Sequence, residues 1–127
     1  MVLRDKWRLD SFLGRGGMSS VWAATHRNGM RGAIKVLHQE LTTNDVVKKR
    51  FLREGYVANK VEHPGAVKVL DDDATEDGLV FLVMELLEGV TLKQRWIELD
   101  RRLDPSLTMD VLDQVLGVLE SAHDRCV

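Results

Sequence analysis

The sequence predicts an α+β fold: a five-stranded antiparallel sheet with one helix packed on it, followed by two further helices. Three observations predict it. Short β-type runs before residue 85 are separated by glycine-rich or acidic turns. The stretch from Asp45 to about Lys60 repeats its apolar residues at helical spacing. A second such stretch follows Asp104-Pro105 and carries an apolar stripe as far as Ala122.

The elements follow in chain order. Trp7 to Leu13 alternates loosely, with Trp7, Leu9 and Ser11 expected on one face and Phe12 near the turn. Ser20 to Thr25 is the second strand. Arg27-Asn28-Gly29-Met30 carries an Asn-Gly hairpin signal. Gly32 to Leu37 is the third strand, with Ala33, Lys35 and Leu37 on one face and Ile34 and Val36 on the other. Thr43-Asn44-Asp45 caps a helix whose inward stripe is Val47, Phe51, Glu54, Ala58 and Val61. Gly55 in its interior lowers helix propensity by about 1 kcal/mol against Ala. Lys48, Lys49, Arg50 and Arg53 form its solvated face. His63-Pro64-Gly65 breaks the chain, and Val67 to Leu70 is the fourth strand. Asp71 to Gly78 is expected as an acidic, solvated turn rather than a metal site, because like charges crowd it. Leu79 to Met84 is wholly apolar and is expected to be buried on both faces. Thr91 caps a short polar helix to about Arg101, and Asp104-Pro105 opens the last helix, on which Leu112, Val115, Leu116, Leu119 and Ala122 form an apolar stripe.

Composition narrows the function classes. The chain has 127 residues, of which 44% are hydrophobic and 30% charged, so it can bury a modest core. Its net charge is −2, from 18 basic and 20 acidic residues, which gives no electrostatic case for nucleic acid. The single cysteine, Cys126, allows no internal disulfide and no zinc set. A reducing, cytoplasmic location is expected, with no signal-peptide pattern in Met1-Val2-Leu3-Arg4-Asp5-Lys6.

Chemistry concentrates in Leu13-Gly14-Arg15-Gly16-Gly17-Met18-Ser19-Ser20-Val21. Three glycines in four positions let a backbone lie close to another group, often a phosphate. A dinucleotide-binding turn would open a helix and carry a third glycine where Ser19 stands. A P-loop would need Gly-Lys, which is absent from the chain. A plain surface turn and a glycine hairpin folded over a nucleotide both remain. Two misplaced charges bear on the choice. Lys35 sits mid-strand among apolar residues, and Glu54 interrupts the apolar helical stripe. Either alone is costly to bury. Together they are expected to pair, either structurally or to hold the Lys35 ammonium toward a phosphate.

From about Trp7 to Val127 the chain resembles the eukaryotic-like serine/threonine protein kinases of the bacterial type. Gly14-x-Gly16-x-x-Ser19-x-Val21 is similar to their Gly-rich loop, and Gly32-Ala33-Ile34-Lys35 to their lysine strand. Arg50-Phe51-Leu52-Arg53-Glu54 resembles the helix whose glutamate pairs with that lysine. His63-Pro64 with Val67-x-Val69-x-Asp71, then Val83-Met84-Glu85-Leu86 and Glu88-Gly89-x-Thr91-Leu92, complete the ordered set. The resemblance implies a kinase small lobe over residues 1–90 and the first two helices of a large lobe over 91–127. It implies ATP as cofactor, with Val21 and Ala33 sandwiching adenine and Met84 as gatekeeper. Backbone groups of Glu85 and Leu87 would read the adenine edge, residues 13–21 would cover the phosphates, and Lys35 would bind them. Lys35 and Glu54 would be the catalytic pair. Ala58 and Val69 would belong to the packing behind the helix.

The sequence departs from the family pattern in two places. Ser19 replaces a frequent glycine. The chain reaches His123-Asp124-Arg125-Cys126-Val127 without a His-Arg-Asp or Asp-Phe-Gly motif, so protein ligands for the family's Mg²⁺ are expected to be absent from this chain. The reading is therefore the ATP-binding portion of a serine/threonine kinase, a transferase that phosphorylates a protein substrate when complete. These 127 residues alone are expected to transfer no phosphate. The alternatives are a non-catalytic, truncated module that binds a partner or nucleotide, and a lobe that self-associates through helix 105–124.

Overall fold

The computed structural model describes all 127 residues. Its strands are β1 (Val2–Leu3), β2 (Trp7–Arg15), β3 (Ser19–His26), β4 (Arg31–Leu37), β5 (Val69–Ala74) and β6 (Val80–Met84). Its helices are α1 (Asp45–Lys60), α2 (Leu92–Glu98) and α3 (Pro105–Asp124), with a 3-10 turn at Gln39–Leu41. The chain divides into two compact units: Met1–Asn59 with Val67–Leu86, and Lys60–Ala66 with Leu87–Val127.

In the first unit all six strands form one antiparallel sheet in the order β1-β2-β3-β4-β6-β5. The α+β class matches expectation, with one strand more than the sequence suggested. The added strand, β1, folds back on β2 through Arg4 and Asp5, both at positive φ (54° and 53°). That is the backbone of a tight hairpin turn, normally announced by Asn or Gly. Here two charged residues hid it. Leu3, carried by this strand, is fully buried.

Strand alternation divides the core. One face gathers Leu3, Trp7, Ala24, Ile34, Val36, Phe81 and Val83. The other packs Leu37, Val80 and Leu82 around Phe51 of α1. The run Val80 to Val83 is buried on both faces, as its apolar sequence predicts. Asn44 caps α1, its Oδ1 accepting from the Val46 and Val47 N–H groups at 3.1 and 3.2 Å. Gly55 has a packing reason. A Cβ there would lie 3.1 Å from both methyls of Leu82. The glycine that lowers helix propensity lets α1 approach β6.

Two local readings are corrected. A bulge between Leu9 and Ser11 leaves Asp10 without a register partner, so Phe12, not Ser11, rejoins the face of Trp7 and Leu9. Phe12 then meets Trp22 edge-to-face at 5.2 Å. The expected acidic turn at 71–78 is half strand: Asp71, Asp72 and Asp73 pair with Val83, Leu82 and Phe81. β5 is an edge strand, where charged side chains reach solvent and discourage further pairing. Neighbours also take up the charge, with Tyr56 Oη donating to Asp72 at 3.0 Å and Arg4 3.5 Å from Asp73. The Asp72 carboxylate favours the protonated phenol and raises the Tyr56 pKa.

In the second unit Thr91 and Gln94 form a reciprocal capping box on α2. Asp104 caps α3, with Pro105 as its first residue. The loop at 60–66 packs on α3, where the His63 ring occupies the space a side chain at Gly117 would need. Arg125 and Glu62 pair at 2.8 Å. Of the apolar stripe on α3 only Ala122 is buried; Leu112, Val115, Leu116 and Leu119 are exposed. No helix is long and apolar enough to cross a membrane.

The bulge gives Asp10 a role that a pH titration reads. Its carboxylate accepts from Thr25 Oγ1 at 2.6 Å and Arg8 Nε at 2.9 Å, and these bonds lower its pKa. A lowered folded pKa stabilises the fold above the unfolded value of about 3.9, and that contribution is lost as pH falls through the folded value. Asp10→Asn is expected to lower the Tm at pH 7, with the gap closing under acid. Thermal melts from pH 7 to pH 2 check this; a constant gap would contradict it.

Candidate functional site

The register of three central strands builds the candidate site. Val21 of β3 lies opposite Lys35 of β4, and Ala23 opposite Ala33. Across β4, Ala33 lies opposite Met84 and Lys35 opposite Leu82. Directly opposed residues share a face. Val21, Ala33, Lys35 and Met84 therefore stand together, with small side chains at the centre. Ser20 falls on the reverse face, where its Oγ accepts from Trp22 Nε1 at 3.2 Å.

The glycine hairpin joins β2 to β3. Leu13 sits in a second bulge, and Gly14 and Arg15 pair with Val21 and Ser20. The Gly16 N–H closes the turn on the Ser19 carbonyl at 2.8 Å. Ser19 is itself buried, so it serves as a hairpin-closing residue. The Met18 carbonyl accepts from the His38 N–H at 2.8 Å, tying the hairpin to the end of β4. The N–H groups of Gly17 and Met18 have no partner in the chain. Side chains added at Gly14 and Gly17 would enter open space. The hairpin thus offers free donors and unfilled room, which is the chemistry of a phosphate cradle.

The connector after β6 begins at Glu85. Its N–H donates to the Lys68 carbonyl at 3.0 Å, and its Oε1 accepts from the Lys68 N–H at 2.9 Å. This double bond pattern holds Glu85 against the start of β5 and leaves its carbonyl without a partner. The Leu87 N–H is also unbonded.

The structure does not bring Lys35 and Glu54 together. Glu54 is paired instead with Arg50, 3.5 Å away and one helical turn back, and its side chain is 47% exposed. The Lys35 ammonium lies over the Phe51 ring, 5.9 Å from its centroid. The expected ion pair followed from the cost of burying two charges. Glu54 avoids that cost by reaching solvent, and Lys35, half-buried, finds an aromatic face. Arg50 was legible as Glu54's partner from its i,i+4 spacing alone. Asn59 carried no such signal, yet its side-chain amide bonds both backbone groups of Val69, at 2.6 and 2.8 Å.

Comparison with known proteins follows this geometry. Residues 7–127 match the protein kinase domain family. The chain is 38% identical over 120 residues to the serine/threonine-protein kinase Pkn1 of Myxococcus xanthus, covering 94% of this chain and 17% of that protein. It is 30% identical over 124 residues to the serine/threonine-protein kinase PrkC of Bacillus subtilis, covering 97% and 19%. Among solved structures, the PknI kinase domain of Mycobacterium tuberculosis superposes with a TM-score of 0.75 at 25% identity, over 98% of this chain and 50% of that one. The chain thus spans about a fifth of these curated relatives' length and half of the solved kinase domain. Its sequence and its fold place it in the protein kinase domain family, among the homologues of bacterial serine/threonine-protein kinases.

Proposed function

We propose that the chain is the ATP-binding portion of a serine/threonine protein kinase, with residues 1–90 as the small lobe and 91–127 opening the large lobe. The carrying observation is the register that sets Lys35 opposite Val21 and Ala33 opposite Met84. ATP supplies the phosphoryl group that a complete kinase transfers to a protein hydroxyl. In this reading Val21 and Ala33 hold the adenine ring, with Met84 beside it. The free Glu85 carbonyl and Leu87 N–H read its edge. The N–H groups of the hairpin and the Lys35 ammonium bind phosphate oxygens, and Glu54 steadies Lys35 once it leaves Arg50. The open space at Gly14 and Gly17 fits this ligand. No three His, Cys, Asp or Glu side chains converge to hold a metal ion by themselves. The location in this reading is cytoplasmic.

A second reading rests on α3. Leu112, Val115, Leu116 and Leu119 are each between 46% and 60% exposed on one helical stripe. Each such side chain, about half exposed, forgoes roughly 1 kcal/mol of burial. A contiguous patch of this kind favours self-association of the 127-residue chain.

Two measurements check these readings. Titration of the chain with ATP is expected to give weak binding that Lys35→Ala weakens about tenfold or more, the loss of a charge-assisted bond. Equal binding by parent and variant would remove Lys35 from the site. Light scattering is expected to show the parent as oligomer and a Val115→Glu, Leu119→Glu double variant as monomer. A monomeric parent at high concentration would remove the association.

A further inference from the structure

The α1 helix is already seated on the sheet. Phe51 is fully buried, and Gly55 is packed against Leu82, which lies opposite Lys35 in the sheet register. Its C-terminal half is pinned to β5 by Tyr56 on Asp72 and by the two bonds from Asn59 to Val69. Glu54 is next in sequence to Gly55, so its backbone is held by this packing. Its carboxylate lies 3.5 Å from Arg50 Nε. Lys35 has reached the same helix, but one turn too early, over Phe51.

From this arrangement we propose that Arg50 is a positioning residue that diverts the Glu54 carboxylate from Lys35. The Lys35–Glu54 pair is withheld by competition between side chains, not by displacement of α1. The proposal rests on the reading of Lys35 as the phosphate-binding lysine, since only then does the position of Glu54 bear on function. The restraint is weak by design of its chemistry. Arg50 and Glu54 are 72% and 47% exposed, and a basic residue preceding an acidic one is the poorer order along a helix. A contact of that strength shifts a two-state balance by about twofold, and a like charge in its place adds a similar factor. Small differences of this size let a bound anion near Lys35 decide which partner Glu54 takes.

Zero-length cross-linking of the full chain tests this without nucleotide. A water-soluble carbodiimide activates the Glu54 carboxyl, and the Lys35 amine displaces the urea to form an isopeptide only when the two side chains touch. Quantitative mass spectrometry of the Lys35–Glu54 peptide is the readout. Its yield is expected to rise about twofold in Arg50→Gln and about fourfold in Arg50→Glu. It should be unchanged in Arg53→Gln, which removes the same charge one turn away from no carboxylate partner, and absent in Glu54→Gln. Unchanged yields in both Arg50 variants would overturn the proposal. So would an equal rise in Arg53→Gln, which would make the effect one of net charge. Absence of the isopeptide in every variant would also overturn it, because helix position would then keep the groups apart. The ATP titration of Lys35→Ala fails or succeeds separately, so loss of the phosphate reading is distinguishable from loss of the role of Arg50.

Discussion

Two-sided pairing of β4 is the constraint on which the rest of this structure depends. β4 hydrogen-bonds to β3 on one side and β6 on the other, without a bulge in either ladder. A side-chain period of two then forces Ile34 and Val36 into one core and turns Ala33 and Lys35 to the opposite face. A slip of one residue would bury the lysine among Leu3, Trp7 and Phe81 and move Ile34 to the opposite face. Burial of apolar residues on one face therefore determines where the one lysine of that strand stands. The face that carries the candidate site is a consequence of the core on its reverse.

The glycine hairpin depends on the same register. Its closing bond from Gly16 to Ser19 lies where β2 stops and β3 begins, and the tie from His38 to Met18 lies where β4 stops. Backbone bonds on both flanks hold a tip whose own donors are free. Rigidity at the base and unsatisfied N–H groups at the tip are compatible only because the tip faces solvent, where water satisfies them.

The seating of α1 shows how charge and packing separate. Phe51 and Gly55 are fully inside, while Glu54 between them reaches out to Arg50. A carboxylate on a long, flexible side chain does not have to follow its Cα into the core. β5 solves a similar problem at the sheet edge, where three consecutive aspartates are tolerated because only one ladder needs them.

Much was legible in the sequence. The α+β class, the caps at Asn44, Thr91 and Asp104, the doubly buried run before Met84 and the shared face of Ala33 and Lys35 all follow from local chemistry and period. These are short-range properties: a cap or an alternation is complete within a few residues. The candidate site was legible for the same reason, since its hairpin and its lysine strand are each continuous in the chain. What only the tertiary structure decided depends on partners distant in sequence. The bulge at Asp10 moved Phe12 onto Trp22, and pairing with β6 drew Asp71 to Asp73 out of the expected turn into a strand. Arg4 and Asp5 adopted a turn that their side chains do not favour, because Leu3 gains a core position from it. The partner of Glu54 was decided last, by exposure: the sequence placed two opposite charges on facing elements, but solvent access let a neighbour on the same helix take one of them.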